Sequence, residues 1–191
     1  MSAVEKLPED FCANPDVAWT FPKVFYTSSQ VFEHEKEAIF AKSWICVAHG
    51  SELAQPNDYI TRKVIGENIV IIRGKDSVLR AFYNVCPHRG HELLSGSGKA
   101  KNVITCPYHA WTFKLDGSLA LARNCDHVES FDKENSSMVP LKVEEYAGFV
   151  FINMDESATC VEDQLPEFAE RLNQACSVIK DLKLAARFVT E

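Results

Sequence analysis

The chain has 191 residues, 46% of them apolar, and a formal net charge of −7. That is enough for one packed domain with extensions and excludes a disordered polymer; the acidic balance argues against a nucleic-acid partner, which basic patches would serve. No apolar run approaches the length of a membrane span, so no membrane association is expected. The start, MSAVEKLPEDF, lacks the basic and apolar regions of a secretory signal, which points to the cytoplasm. Seven cysteines (Cys12, Cys46, Cys86, Cys106, Cys125, Cys160 and Cys176) are odd in number and irregular in spacing, and read as reduced thiols rather than a disulfide framework.

Residues 1–27 hold several prolines and aromatics without periodicity and read as an extended arm. Thr27 to Trp44 reads as a helix, with Thr27 and Gln30 at capping-box spacing and Val31, Phe32, Ile39, Phe40 and Trp44 on its apolar face. From Tyr59 the period becomes that of strands. YITRKV, NIVIIRG and VLRAFYNV are rich in β-branched and aromatic residues, with turns at Gly66-Glu67 and Gly74-Lys75-Asp76. NVITC, AWTFKL and SLALAR follow, the last two joined by Asp116-Gly117, which suits a two-residue hairpin turn with both positions at positive φ. Val139–Glu145 and Gly148–Met154 read as two more strands. A second helix is expected from Leu165 to Ile179, with Pro166 in its first turn and Leu165, Phe168, Leu172, Cys176 and Ile179 as its buried stripe. The final LAARFVTE reads as the first strand of something further on, which suggests that the chain was cut. The fold class is mainly β, an antiparallel domain with an N-terminal and a C-terminal helix. The expected divisions are 1–45 (arm and helix), 46–155 (β domain) and 156–191 (helix and start of a strand).

One stretch carries chemistry: CPHRGHELLSGSGKAKNVITCPYHAW, Cys86 to Trp111. Cys86-x-His88 follows one strand and Cys106-x-x-His109 follows another, so each pair sits on a loop. A proline after each cysteine stiffens the loop by fixing φ, and the Gly/Ser-rich linker is expected to be flexible enough to let the halves meet. Two thiolates and two imidazoles suit either one zinc ion or a binuclear iron–sulfur centre. Zinc motifs usually pair like with like, Cys-Cys then His-His. Mixed pairs follow naturally if one iron takes two thiolates, the other takes two imidazoles, and each loop supplies one ligand to each. The remaining cysteines (Cys12, Cys46, Cys125, Cys160 and Cys176) lack partner spacing. His91 is expected near the site without being a ligand, and Trp111 is expected to pack over the site and limit water.

The motif, with HRG after the first cysteine, IFAKSW before the β region and GFVFINM after it, resembles the Rieske domain of ring-hydroxylating-type non-haem iron oxygenases, in particular the quaternary-amine branch. The resemblance implies a [2Fe–2S] cluster held by Cys86, His88, Cys106 and His109. It implies electrons arriving singly from an NADH-dependent flavin/iron–sulfur reductase, and a homotrimeric full-length protein. It further implies a mononuclear Fe(II) that oxygenates a quaternary amine such as carnitine, giving trimethylamine and malic semialdehyde. That iron needs a His-His-carboxylate set. The only histidine after His109 is His127, so the mononuclear iron is expected in a catalytic domain absent from this chain, and no catalytic residue is expected within it. A self-sufficient Rieske ferredoxin and a structural zinc module are the alternatives. The respiratory Rieske pattern has two further cysteines where this chain has His91 and Tyr108, and hydroxyl donors to sulfur where it has Trp111 and Phe113. Fewer donors imply a potential toward the low end of the roughly −150 to +300 mV Rieske span. Ala110 stands where glycine is commoner, and only a slight backbone effect is expected there.

Overall fold

The structure is a computed structural model that describes residues 12, 14–123, 125 and 127–186. The chain divides into two compact units, Met1–Lys42 and Ser43–Glu191.

In the first unit, α1 (Val24–Thr27) and α2 (Ser29–Ala38) precede a 3-10 turn at Phe40–Lys42. The single helix expected from Thr27 to Trp44 is therefore broken. Ser28, not Thr27, caps α2: its backbone is extended and its hydroxyl accepts from Val31 N at 3.4 Å. A cap in this conformation satisfies one of the orphan N–H groups of the first turn. Thr27 instead donates its hydroxyl to Lys23 O at 3.1 Å. Of the expected apolar face only Val31 is buried; Phe32, Ile39 and Phe40 are exposed.

Among the described residues the second unit is built on ten strands: β1 (Ile45–His49), β2 (Asp58–Val64), β3 (Glu67–Arg73), β4 (Leu79–Tyr83), β5 (Ser97–Lys99), β6 (Val103–Thr105), β7 (Thr112–Lys114), β8 (Leu119–Leu121), β9 (Pro140–Tyr146) and β10 (Phe149–Asn153). Seven form one sheet in the order β1-β10-β9-β4-β3-β2-β5, and β6-β7-β8 form a second. Every pairing in both sheets is antiparallel, which agrees with the expected fold class. Strand β3 shows why the large sheet holds together. Ile69 and Ile71 point into one apolar cluster with Ile60, Ala81, Val150 and Ile152, while Val70 and Ile72 point into another with Phe82, Phe113, Leu119 and Trp111. All four β3 residues are fully buried, so the period-2 alternation places apolar groups on both faces.

Arg62 on β2 reaches back to β1. Its Nε donates to Val47 O at 3.0 Å and its Nη2 pairs with Glu52 Oε2 at 2.6 Å. Near the other edge, β5 pairs with β2, with Gly98 opposite Tyr59. The linker expected to be flexible thus carries a strand.

Turn chemistry differs from expectation at Asp116-Gly117. Only Gly117 has positive φ, at 87°. Gly117 N donates to Lys114 O at 3.1 Å and Lys114 N to Ser118 O at 2.8 Å, a longer loop closed by a left-handed residue. A Cβ at Gly117 would lie 2.3 Å from the Phe82 ring on β4, so glycine there lets the small sheet approach the large one. The two-residue turn with both φ positive occurs instead at Ile65-Gly66 and at Ala147-Gly148.

At the other end α3 (Val161–Gln164) and α4 (Phe168–Ala175) replace the continuous helix expected from Leu165 to Ile179. Leu165 leaves the helical region (φ −128, ψ 56), because the ring of Pro166 disfavours helix in the residue before it. Pro166 separates two helices instead of opening one. Phe168, Leu172, Cys176 and Ile179 are half-buried, whereas Leu165 is exposed. Residues 182–186 have no regular structure, and the rest of the expected terminal strand lies outside the described residues. No helix among the described residues is long and apolar enough to cross a membrane.

Candidate metal centre

Two six-residue loops, 86–91 after β4 and 106–111 after β6, repeat one backbone design. In the first, Cys86 N donates to His91 O at 2.8 Å and Gly90 N to Cys86 O at 2.8 Å. In the second, Cys106 N donates to Trp111 O at 2.8 Å and Ala110 N to Cys106 O at 3.0 Å. The fifth residue of each is left-handed, Gly90 at φ 68° and Ala110 at φ 58°. The two cysteines occupy the first position of each loop. The histidines do not match: His88 is third and His109 is fourth.

The geometry brings the four side chains into two pairs. Cys86 and Cys106 are almost fully buried in one apolar cluster, at 1% and 2% exposure. The His88 and His109 rings meet edge-on, with centroids 4.7 Å apart, and are half-buried. Their Nδ1 atoms are buried and have no hydrogen-bond partner. Burial pushes the Cys86 thiol up, with the nearby Cys106 acting in the same direction against backbone N–H groups at His88 and Arg89. Burial lowers the His88 pKa, as do the neighbouring His109 and Arg89. Two buried thiols beside two imidazoles whose buried Nδ1 atoms lack partners are a soft donor set awaiting a metal, because buried nitrogens normally have partners. Among the described residues no three His, Cys, Asp or Glu side chains converge on a single-ion site. A two-plus-two arrangement fits two irons rather than one tetrahedral zinc.

Aromatic rings enclose the pairs. Trp111 lies parallel to His88, with centroids 4.7 Å apart and planes 7° from parallel, and meets the Phe131 edge at 5.5 Å. It is 5% exposed, which agrees with the expectation that it packs over the site. The exposed Tyr108 ring lies 3.7 Å from His109. His91 is exposed and its Nδ1 donates to Glu92 O at 2.7 Å, so it stands outside the pairs. Cys46 and Cys160 are exposed, and Cys12, Cys125 and Cys176 are intermediate; all are free thiols.

Sequence reading missed Asn84, which is 1% exposed two residues before Cys86. Its Nδ2 donates to Leu94 O at 2.6 Å and its Oδ1 accepts from Leu94 N at 3.0 Å, while its backbone N donates to Asn68 O at 2.8 Å. One side chain therefore fastens the return of the first loop to its start and to β3. An Asn at a strand end is ordinary in sequence, and only its burial reveals the role.

A buried thiol pair beside a half-buried imidazole pair, on two matched loops at the ends of antiparallel strands, has the donor set of a Rieske-type site. Residues 43–132 match the Rieske [2Fe–2S] domain, a family whose cofactor is a [2Fe–2S] cluster. The chain is 97% identical over 191 residues to the carnitine monooxygenase oxygenase subunit of Acinetobacter baumannii, covering all of this chain and 52% of that protein. It superimposes on the quaternary ammonium Rieske monooxygenase CntA in complex with L-carnitine with a TM-score of 0.93, at 98% identity, covering 97% of this chain and 53% of that one. A further solved structure, of a quaternary ammonium Rieske monooxygenase described for carnitine oxidation by gut microbiota and inter-subunit electron transfer, matches with a TM-score of 0.94 at 98% identity, over 98% of this chain and 52% of that one. The chain thus spans about half the length of the relatives it matches.

Proposed function

We propose that this chain is the electron-relay part of an oxygenase acting on a quaternary amine, carnitine, with release of trimethylamine and malic semialdehyde. Residues 46–155 carry the redox site, and 1–45 and 156–191 are its extensions. Cys86 and Cys106 hold one iron of the [2Fe–2S] group and His88 and His109 hold the other. The observation that carries this is the set of two buried, partnerless Nδ1 atoms beside two buried thiols.

When bound, the [2Fe–2S] group supplies storage for one electron at a time. The residues supply the rest. Cys86 and Cys106 lose their protons on binding, because the thiolate and not the thiol is the ligand. His88 and His109 turn Nδ1 inward and so keep a proton on Nε2, the side of each half-buried ring that faces outward. Trp111, Phe131 and Leu93 keep bulk water from the thiolates. The electron source is an NADH-dependent flavin/iron–sulfur reductase, and the whole protein is a homotrimer in the cytoplasm. The resemblance carried by the ligand motif supports this reading, as does a relative described for inter-subunit electron transfer. Oxygen activation by a mononuclear iron is assigned to the portion of the longer relatives that this chain does not match.

The test is direct. The chain isolated with its iron should be coloured, and after dithionite should give a rhombic electron-spin signal with average g below that of all-cysteine clusters. With reductase, NADH, oxygen and carnitine it should release no trimethylamine. A colourless, spin-silent protein holding zinc, or trimethylamine above that of a Cys86→Ser control, overturns the proposal.

A further inference from the structure

Among the described residues the buried side-chain nitrogens and oxygens without a hydrogen-bond partner are Asn57 Oδ1, His88 Nδ1, His109 Nδ1 and Trp111 Nε1. Three of the four lie in the two loops of the metal centre. The two imidazole nitrogens have lone pairs and become ligands. Trp111 Nε1 has none to offer, since an indole N–H only donates. Leaving such a donor buried and unpaired costs about 1–3 kcal/mol.

The ring is not free to turn its N–H elsewhere. It is stacked on His88 on one side and held by the edge of Phe131. The buried groups it packs among (Cys86, Cys106, Leu93, Phe113 and Leu119) are apolar apart from the two sulfurs. Neither cysteine sulfur accepts from it, so the acceptor this pocket would gain when the centre is loaded is sulfide.

We propose that Trp111 Nε1–H donates a hydrogen bond to sulfur at the [2Fe–2S] site and thereby raises its reduction potential. The proposal rests on the ligand assignment above. The reduced centre carries more negative charge than the oxidised one, and a donor to sulfur stabilises it more. Comparison with the respiratory pattern counts Trp111 as a lost hydroxyl donor. In this structure the position keeps a donor and changes its element. The potential is then set above that of a site lacking any side-chain donor, and Trp111 is a tuning residue as well as a cover.

The test uses the full chain carrying its cluster. Trp111 is replaced by 3-benzothienylalanine, which keeps the ring shape and stacking but has sulfur in place of N–H, and separately by Phe. Redox titration gives the potential, and hyperfine spectra of the reduced protein in H2O and D2O count exchangeable protons coupled to the centre. The isostere should keep the visible spectrum, lose one exchangeable-proton coupling and shift the potential downward. Trp111→Phe should shift it in the same direction. An unchanged potential with the coupling retained overturns the proposal, the N–H then meeting a trapped water or nothing. Should neither variant take up iron, wild-type protein labelled with 15N in its indoles decides: a nitrogen coupling to the reduced centre supports the bond, and its absence overturns it. A wild-type chain without any iron–sulfur spectrum overturns the ligand assignment itself, which is a separate result.

Discussion

Gly90 and Ala110 turn the same corner in the two loops, at φ 68° and φ 58°, each donating its N–H to the carbonyl of the cysteine four residues earlier. An L side chain in this conformation costs about 1–2 kcal/mol, so the second loop carries strain that the first avoids. Nothing lies within 4 Å of a Cβ built on Gly90, so Gly90→Ala adds only the backbone cost. Against the entropy that alanine removes from the unfolded chain, about 0.4–1 kcal/mol, Gly90→Ala should destabilise by roughly 1 kcal/mol. Ala110→Gly should stabilise by a similar or smaller amount. Denaturant midpoints of the two variants should move in opposite directions, and movement in the same direction would rule out the equivalence.

The ligand assignment separates His88 from His91. His88→Ala, Cys86→Ser and Cys106→Ser should each abolish the visible colour and the reduced spin signal, since ligation also organises the loops. His91→Ala removes an exposed ring that donates to the neighbouring Glu92 carbonyl and lies 5.7 Å from the Tyr108 ring, and should keep both. A colourless His91→Ala protein would contradict the pairing.

Asn84→Ala leaves the N–H and C=O of Leu94 without the partners they have at 3.0 and 2.6 Å. The expected loss is about 2–3 kcal/mol, read as a lower melting temperature and faster iron loss to a chelator. Asn84→Asp keeps the acceptor for Leu94 N but turns an oxygen toward Leu94 O, and should rescue little. Stability within error of wild type for Asn84→Ala would show that the clamp contributes nothing.

Asp76 gives a pH prediction. Its carboxylate accepts from Arg80 Nη1 at 2.9 Å and Nη2 at 2.7 Å and from Val78 N at 3.1 Å. The Arg80 side chain, and after it the Val78 N–H, hold its pKa down at about 2. The folded value lies below the unfolded value of about 3.9. The contribution is therefore fully present above pH about 4 and drains away as pH falls toward 2. The melting-temperature gap between wild type and Asp76→Asn should be constant near neutrality and narrow between pH 4 and 2. A gap of the same size at pH 3 and pH 5 would refute the shift.

The strands with β-branched runs, such as NIVIIRG, were legible because burial on both faces forces apolar residues at every position. The ligand spacing was legible because it is a constraint on chemistry rather than on packing. Strand β5 was not. SGK carries no apolar pattern, and it pairs because β2 offers an edge to which Tyr59 and Gly98 fit. The helix Leu165–Ile179 was misread because its period continues through a proline that the backbone cannot follow. The first helix was misread in its cap by one residue, since Thr27 and Ser28 both have hydroxyls and only the extended backbone of Ser28 aims one at an orphan N–H. Trp111 was read as a cover. Its unpaired N–H shows only once the neighbours are placed.

The reach of Arg62 across to Val47 has a consequence for how the domain meets other polypeptides. An outermost strand with open carbonyls invites a foreign strand to dock and the sheet to grow. Here the guanidinium takes the Val47 carbonyl on β1, and the register of β1 is broken between Cys46 and Ala48. At the opposite end β5 is three residues long and closes with Lys99. Neither border of the large sheet offers a long, flat template, which disfavours growth of that sheet by addition of a foreign strand.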